Sequence, residues 1–117
     1  MIPERLAPLL LVAALAGCDP GHYLHGTITG PDGAPVAGAT VTSVDPCADL
    51  LAPPLVSDAV GKVEQDQLGG VEAGCNFLVH KVGFADVSIN AGAHCLDSMW
   101  WAGCLEVDLS AKLAVSP

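Results

Sequence analysis

Short runs of alternating apolar and polar residues, separated by turn-forming residues, fill the chain from residue 22 onward. The clearest run is the last, in which Leu105, Val107 and Leu109 alternate with Glu106, Asp108 and Ser110, as in a strand with one buried face. None of the runs has the 3.6-residue period of an amphipathic helix. Short strands with turn signals between them predict an all-β protein, a small antiparallel β-sandwich of about seven strands.

The strand predictions follow the alternation and the β-branched residues. Gly30-Pro31-Asp32-Gly33 predicts a tight turn, because Pro presets the backbone at its second position and Gly permits the last. Residues 45–56 and 90–103 are predicted to be the two long loops. The predicted strands are residues 24–29, 39–44, 61–65, 75–82, 85–89 and 105–110.

The N-terminus carries an apolar run from Leu6 to Ala16, interrupted only by Pro8. It is shorter than the roughly 20 apolar residues that span a bilayer, and it ends in small residues, as signal peptides do. Its last four residues, Leu15-Ala16-Gly17-Cys18, resemble the lipobox of bacterial lipoprotein signal peptides. That resemblance implies cleavage before Cys18 and a diacylglycerol on its thiol. The alternative is a buried N-terminal helix or strand with Cys18 as an ordinary cysteine.

These features predict three segments: a signal peptide at residues 1–17, a lipidated tether at residues 18–21 and one domain at residues 22–117. The protein is then expected in the cell envelope, outside the cytoplasm, held to a membrane by its N-terminal lipid. Asp19 resembles the inner-membrane retention signal of enteric bacteria. That rule does not apply to all bacteria, so either membrane stays open.

Four cysteines remain after Cys18: Cys47, Cys75, Cys95 and Cys104. An even number in an exported chain predicts two disulfides, for which three pairings are possible. We expect Cys95–Cys104, because these two bracket one loop, and Cys47–Cys75 by elimination.

The charge of the chain is strongly negative, at −9. Without residues 1–17, the cations are Lys62, Lys81 and Lys112, against twelve of the thirteen carboxylates, since Glu4 leaves with the signal. Nucleic acids and anionic lipid headgroups both bind through cationic residues, so neither is an expected partner. Exposed carboxylates also keep a small domain soluble, and this role alone is enough to explain the negative charge.

Three motifs in order resemble the carboxypeptidase regulatory-like domain. The first is Gly26-Thr-Ile-Thr-Gly30 followed by residues 31–41, which resembles a strand, a Gly-x-Pro turn and a Gly-Ala-x-Val strand. The second is Ser57–Val63, which resembles the hairpin of that domain. The third is Cys75–Phe84, which resembles its strand ending in Lys-x-Gly-Tyr. The resemblance implies a transthyretin-like, or prealbumin-like, β-sandwich. It also implies an accessory module that usually has no catalytic residues of its own.

Catalytic and metal-binding patterns are not found in the sequence. There is no Gly-x-Ser-x-Gly, no His-Glu-x-x-His and, after Arg5, no arginine to grip a carboxylate or phosphate. His22 and His25 are three apart, which on a strand points them to opposite faces. The aspartates predicted to lie in loops match no EF-hand spacing; they are Asp45, Asp49, Asp58 and Asp66. The expectation is therefore a chain that is not an enzyme and has no cofactor and no metal site.

Trp100 and Trp101 are the candidate binding residues. They lie in the loop that Cys95 and Cys104 bracket, and Trp is enriched at the hot spots of interfaces. The alternative is that one or both cap the end of the core.

Together these observations predict a membrane-anchored, non-catalytic binding or scaffolding lipoprotein, whose partner is an envelope protein or a glycan. Two alternatives stay open. One is a structural envelope component without a specific ligand. The other is a transthyretin-like hydrolase, which the missing arginine disfavours.

Lipidation at Cys18 is directly testable. Cys18→Ser should leave an unprocessed precursor, because the resemblance implies cleavage directly before a lipid-bearing cysteine. Intact-mass measurement of the membrane-extracted wild-type protein should show acyl mass on Cys18. An unlipidated mature N-terminus at another residue would contradict the prediction.

Overall fold

The computed structural model describes residues 21–117, with only the backbone at Leu68. The predicted signal peptide and Cys18 lie outside these residues. Nine strands make up the regular structure, and residues 21–117 contain no helix. No membrane-spanning apolar helix is therefore found in the described part of the chain. The strands are β1 Gly21–Thr29, β2 Thr40–Val44, β3 Leu55–Val56, β4 Lys62–Leu68, β5 Asn76–His80, β6 Val87–Asn90, β7 Cys95–Met99, β8 Gly103–Asp108 and β9 Ala111–Lys112.

The strands form two sheets, which confirms the predicted all-β sandwich. The first sheet has the order β4-β1-β8-β7, with β9 also paired to β1, and the second has the order β3-β2-β5-β6. Most pairs are antiparallel, but β1 pairs in parallel with both β8 and β9. We call the end of the sandwich at Gly21 the proximal end and the end at Thr29 the distal end.

The core lies between the sheets and consists mainly of aliphatic side chains. In β1, Leu24 and Ile28 are fully buried, while Tyr23 and His25 on either side of Leu24 are half-buried, as the alternation predicts. Phe77 of β5 is the largest fully buried side chain and faces this layer from the second sheet. Of the three residues predicted to share the buried face of the last strand, Val107 and Leu109 are fully buried, whereas Leu105 is only half-buried.

Two strands were missed within the predicted loops. β7 lies in the segment predicted as the 90–103 loop, and β3 occupies the end of the 45–56 loop. β7 is an edge strand whose residues after Cys95 are all exposed, so it has no alternation to detect. Its pairing with β8 is also irregular, with register shifts between Cys95 and Ser98.

Both predicted disulfides are present. Cys47–Cys75 joins the loop after β2 to the residue before β5, with the Cα atoms 5.6 Å apart. Cys95–Cys104 joins β7 to β8 across 5.9 Å. In the loop-entropy model these bridges contribute about 3–4 and about 2–3 kcal/mol, respectively. Both lie at the proximal end.

Gly26 lies where β1 passes closest to another segment. The chain leaves β8 and enters β9 directly beside it, and a Cβ at this position would clash with the backbone of Leu109 and Ser110. Backbone atoms cannot move away as a flexible side chain can. The close contact therefore requires glycine.

Gly26→Ala should lower the free energy of unfolding by about 3 kcal/mol, the upper end of the usual range for overpacking. Gly74→Ala is the matched control, because a Cβ there meets nothing within 4 Å. Urea denaturation of both variants measures the difference. Equal stability of the two variants would contradict this account of Gly26.

Candidate functional site

The two tryptophans lie in the turn between β7 and β8, and both are exposed. Trp100 is 96% exposed and Trp101 is 54% exposed, and the preceding Met99 is 41% exposed. The expectation that one or both cap the core is therefore wrong. The reason is that β7 and β8 form a hairpin, which carries its turn away from the space between the sheets. We call residues 95–104 the tryptophan hairpin.

The base of the tryptophan hairpin is held by covalent and hydrogen bonds. The Cys95–Cys104 disulfide crosslinks its two strands. Cys104 and Val71 exchange two backbone hydrogen bonds, each 2.7 Å long, and Ala102 N donates to Met99 O at 3.1 Å within the turn. A restrained base lowers the ordering cost of binding through the tip.

A groove of about 350 Å³ runs beside the hairpin. One wall consists of the hairpin itself, including Trp100, and the other consists of Ala73 and Gly92 from two neighbouring loops. These walls combine an exposed indole with small side chains, so the groove offers contact area next to the tip.

Charge is distributed unevenly along the sandwich. The three lysines lie at the distal end, where β4 begins, where β5 ends and in β9: Lys62, Lys81 and Lys112. The exposed carboxylates of Asp45, Asp49 and Glu72 lie at the proximal end, in the loops next to Val71. The tryptophan hairpin is thus at the acidic end of the domain.

His22 and His25 point to opposite faces of β1, as predicted. His22 is 3% exposed, and its Nδ1 donates to Gly69 O at 2.7 Å, while the buried Nε2 has no hydrogen-bond partner among the described residues. It borders an open cavity of about 520 Å³, which Tyr23 and Asp66 also line. Within residues 21–117, no three His, Cys, Asp or Glu residues are grouped so that they could hold a metal ion.

A polar cluster on the outer face of the first sheet was missed by sequence reasoning. His25 Nε2 lies 2.7 Å from Glu106 Oε2, and the ring of Tyr23 stacks on His25 with their centroids 4.4 Å apart. The Tyr23 hydroxyl donates to Glu64 at 3.1 Å, and this bond to a carboxylate raises the pKa of Tyr23. The alternation places Tyr23 and His25 on one face, but the parallel pairing that brings Glu106 to them has no local sequence signal.

Asp108 belongs to the same face and is held in its charged form. Burial alone would raise its pKa, but hydrogen bonds from Ser110 and the nearby His25 and His94 outweigh it, so the pKa of Asp108 is lowered. One of these bonds runs from Ser110 N to Asp108 Oδ1 at 2.9 Å. The carboxylate thereby fixes the turn between β8 and β9.

Three of the four predicted loop aspartates lie in loops or turns, but Asp66 lies in β4, where it pairs with Tyr23. Asp58 Oδ1 accepts backbone N–H groups of Val60 and Lys62, at 3.0 and 2.9 Å, and so closes the turn before β4. His80, which has no obvious partner in the sequence, lies 2.7 Å from the Asp86 carboxylate.

Comparison with known proteins gives a fold but no family. No protein-family model matches the chain, and no curated protein matches it. Among solved structures it is similar to catechol 1,2-dioxygenase of Acinetobacter sp. ADP1, with a TM-score of 0.57 and 14% identity over 86% of this chain and 54% of the other. For catechol 1,2-dioxygenase of Pseudomonas arvilla C-1, the TM-score is 0.54 and the identity is 14%, over 85% of this chain and 53% of the other. For the 3-chlorocatechol 1,2-dioxygenase of Rhodococcus opacus 1CP, the TM-score is 0.55 and the identity is 11%, over 83% of this chain and 61% of the other.

These similarities correct the expectation that the chain is not an enzyme. That expectation combined missing catalytic motifs with the usual role of an accessory module, whereas these three proteins that contain the β-sandwich are enzymes. The chain spans between half and two thirds of their length, and identities of 11–14% show the fold alone. The β-sandwich therefore gives no argument against catalysis.

The lowered pKa of Asp108 makes stability depend on pH. A carboxylate whose pKa is lower in the folded than in the unfolded protein stabilises the fold above its unfolded value of about 4, and that contribution is lost as the pH falls through the folded value. Asp108→Asn should therefore destabilise the protein at neutral pH, and by progressively less as the pH falls below about 4. Urea denaturation at neutral pH and at a series of lower pH values measures this, with Asp49→Asn in the exposed loop as the control. A destabilisation of equal size at every pH would contradict the assignment.

Proposed function

We propose that the chain is a bacterial envelope lipoprotein, anchored through lipid on Cys18, whose β-sandwich binds or scaffolds another envelope component through the tryptophan hairpin. The observation that carries the proposal is the 96% exposure of Trp100 on a hairpin crosslinked by a disulfide. The anchor is supported by Leu15-Ala16-Gly17-Cys18 at the end of an apolar run.

Two exposed indoles in adjacent positions favour a binding role over a purely structural one. A soluble domain gains no core stability from a side chain as exposed as Trp100. Buried in an interface, the same ring supplies a large area with few rotatable bonds, which is why Trp is common at hot spots. The restrained hairpin base holds the backbone that carries the ring in place before the partner arrives.

We assign the sandwich to the carboxypeptidase regulatory-like, transthyretin-like group. Support comes from the order of its motifs, from Gly26-Thr-Ile-Thr-Gly30 to Lys81-Val82-Gly83-Phe84. A motif glycine, Gly26, is also the position where the backbone of Leu109 and Ser110 leaves no room for a Cβ.

Photocrosslinking in living cells tests the binding role. A photoreactive phenylalanine in place of Trp100 should form adducts with an envelope component, whereas the same residue in place of Val82 should not. Val82 is the matched control, because it is 83% exposed and lies beyond β5 at the distal end. Equal adducts from the two positions would contradict a role for the hairpin.

The stability of the variants must be checked in parallel. Trp100→Ala should change the free energy of unfolding by less than about 0.5 kcal/mol, as exposed substitutions do. A large loss of stability would show that Trp100 packs in the fold, and the adducts would then not report on a free surface.

A further inference from the structure

The register of the first sheet places the tryptophan hairpin where the chain enters the domain. Tyr23 lies opposite Glu106 and Leu24 opposite Val107 in parallel strands. Continuing this register by two residues brings Gly21 level with Cys104. The turn containing Trp100 and Trp101 therefore lies beyond Gly21, on the side from which the preceding residues arrive.

Cys18 precedes Gly21 by only three residues. An extended chain covers at most about 3.3–3.6 Å per residue, so these residues reach about 10 Å. A lipid on Cys18 therefore holds the proximal end of the sandwich within about one headgroup layer of the membrane. The indole rings project from that same end.

We infer that the component bound by the tryptophan hairpin is the bilayer into which Cys18 is anchored. This inference rests on the proposed anchor. Trp100 and Trp101 lie at the membrane–water interface, with Met99 beside them, and so fix the orientation of the domain on its tether. The lysine-bearing distal end then faces away from the membrane.

The chemistry of the tip fits an interface better than it fits charged headgroups. An indole has an apolar ring and one N–H donor, and Trp is enriched at both interfaces of membrane proteins for this reason. Met99, the residue before Trp100, is 41% exposed and adds aliphatic area at the tip. The lysines lie at the other end of the sandwich, so electrostatic attraction to anionic lipid does not contribute to the contact.

The acidic residues of the proximal end set the depth and the lipid preference. Asp45, Asp49 and Glu72 are exposed at this end, as is Asp97 of the tryptophan hairpin itself, and carboxylates do not enter the hydrocarbon layer at low cost. The tip alone is therefore inserted, and anionic lipid should weaken the contact. The tether compensates for a weak contact, since it makes the association intramolecular.

The tryptophans are themselves the probe for this contact, because the chain has only these two. The chain from residue 18 to residue 117, without the apolar run of residues 6–16, is reconstituted into phosphatidylcholine vesicles, with or without brominated acyl chains, which quench indole fluorescence at short range. If the cell does not lipidate Cys18, its thiol, which lies outside both disulfides, is coupled to a maleimide lipid. A failure of lipidation is thus seen as missing acyl mass and does not affect this measurement.

With the tether at Cys18, the emission should shift to shorter wavelength and most of it should be lost in brominated vesicles. Adding anionic lipid should reduce the loss. The matched control moves the tether to the other end of a chain that also begins at residue 18, as Cys18→Ser with Val82→Cys coupled to the same lipid, and its emission should be the same in both vesicles. Residues 1–17 are left out because Cys18→Ser would otherwise keep their apolar run at the proximal end. Trp100→Phe and Trp101→Phe each leave a single indole and report which ring lies deeper.

Equal emission of the Cys18-tethered chain in plain and brominated vesicles would overturn the inference. So would equal quenching with the tether at residue 82, which would show contact without orientation. If the emission shifts but bromine does not quench it, the indoles are buried against protein, and this outcome also overturns the inference. None of these results depends on whether the cell processes Cys18.

Discussion

The pairing of β1 with three other strands is the constraint on which the rest of the structure depends. β1 binds β4 on one side, and β8 and then β9 on the other. The change from β8 to β9 happens beside Gly26, where the backbones come too close for any other residue. β1 also carries Leu24 and Ile28 into the core and brings Tyr23 and His25 to the outer face. A change in its register would reverse both faces at once.

The local sequence was enough to predict the sandwich and its crosslinks. The alternation of Leu105, Val107 and Leu109 reports one buried face, and the two bridges follow from spacing and elimination. β7 could not be predicted in this way, because an edge strand with exposed residues on both faces has no period to detect. The exposure of Trp100 was not predictable either, since it depends on β7 forming a hairpin with β8. The His25–Glu106 contact depends on a parallel pairing between residues far apart in the chain.

The expectation about catalysis failed for a different reason. It combined missing motifs with the usual role of a fold, and the neighbours in solved structures show that enzymes contain this fold too. Activity is a property of particular side chains placed on a fold, so a sandwich is compatible with either role. His22 is one such side chain. It is buried, it borders an open cavity, and its Nε2 is unpaired among the described residues, so it is a residue at which catalytic activity can be tested.

Both disulfides lie at the proximal end, and this gives the sandwich a gradient of stability along its strands. At the distal end, the chain is held by noncovalent contacts alone, such as the short pairing of β9 with β1 and the buried hydroxyl of Ser57, which donates to Val36 O and accepts from Ala39 N. We therefore expect partial opening to begin at the distal end, where fewer constraints have to break. The crosslinked end should open last, so that its loops keep their shape while the far end of the sandwich exchanges with solvent.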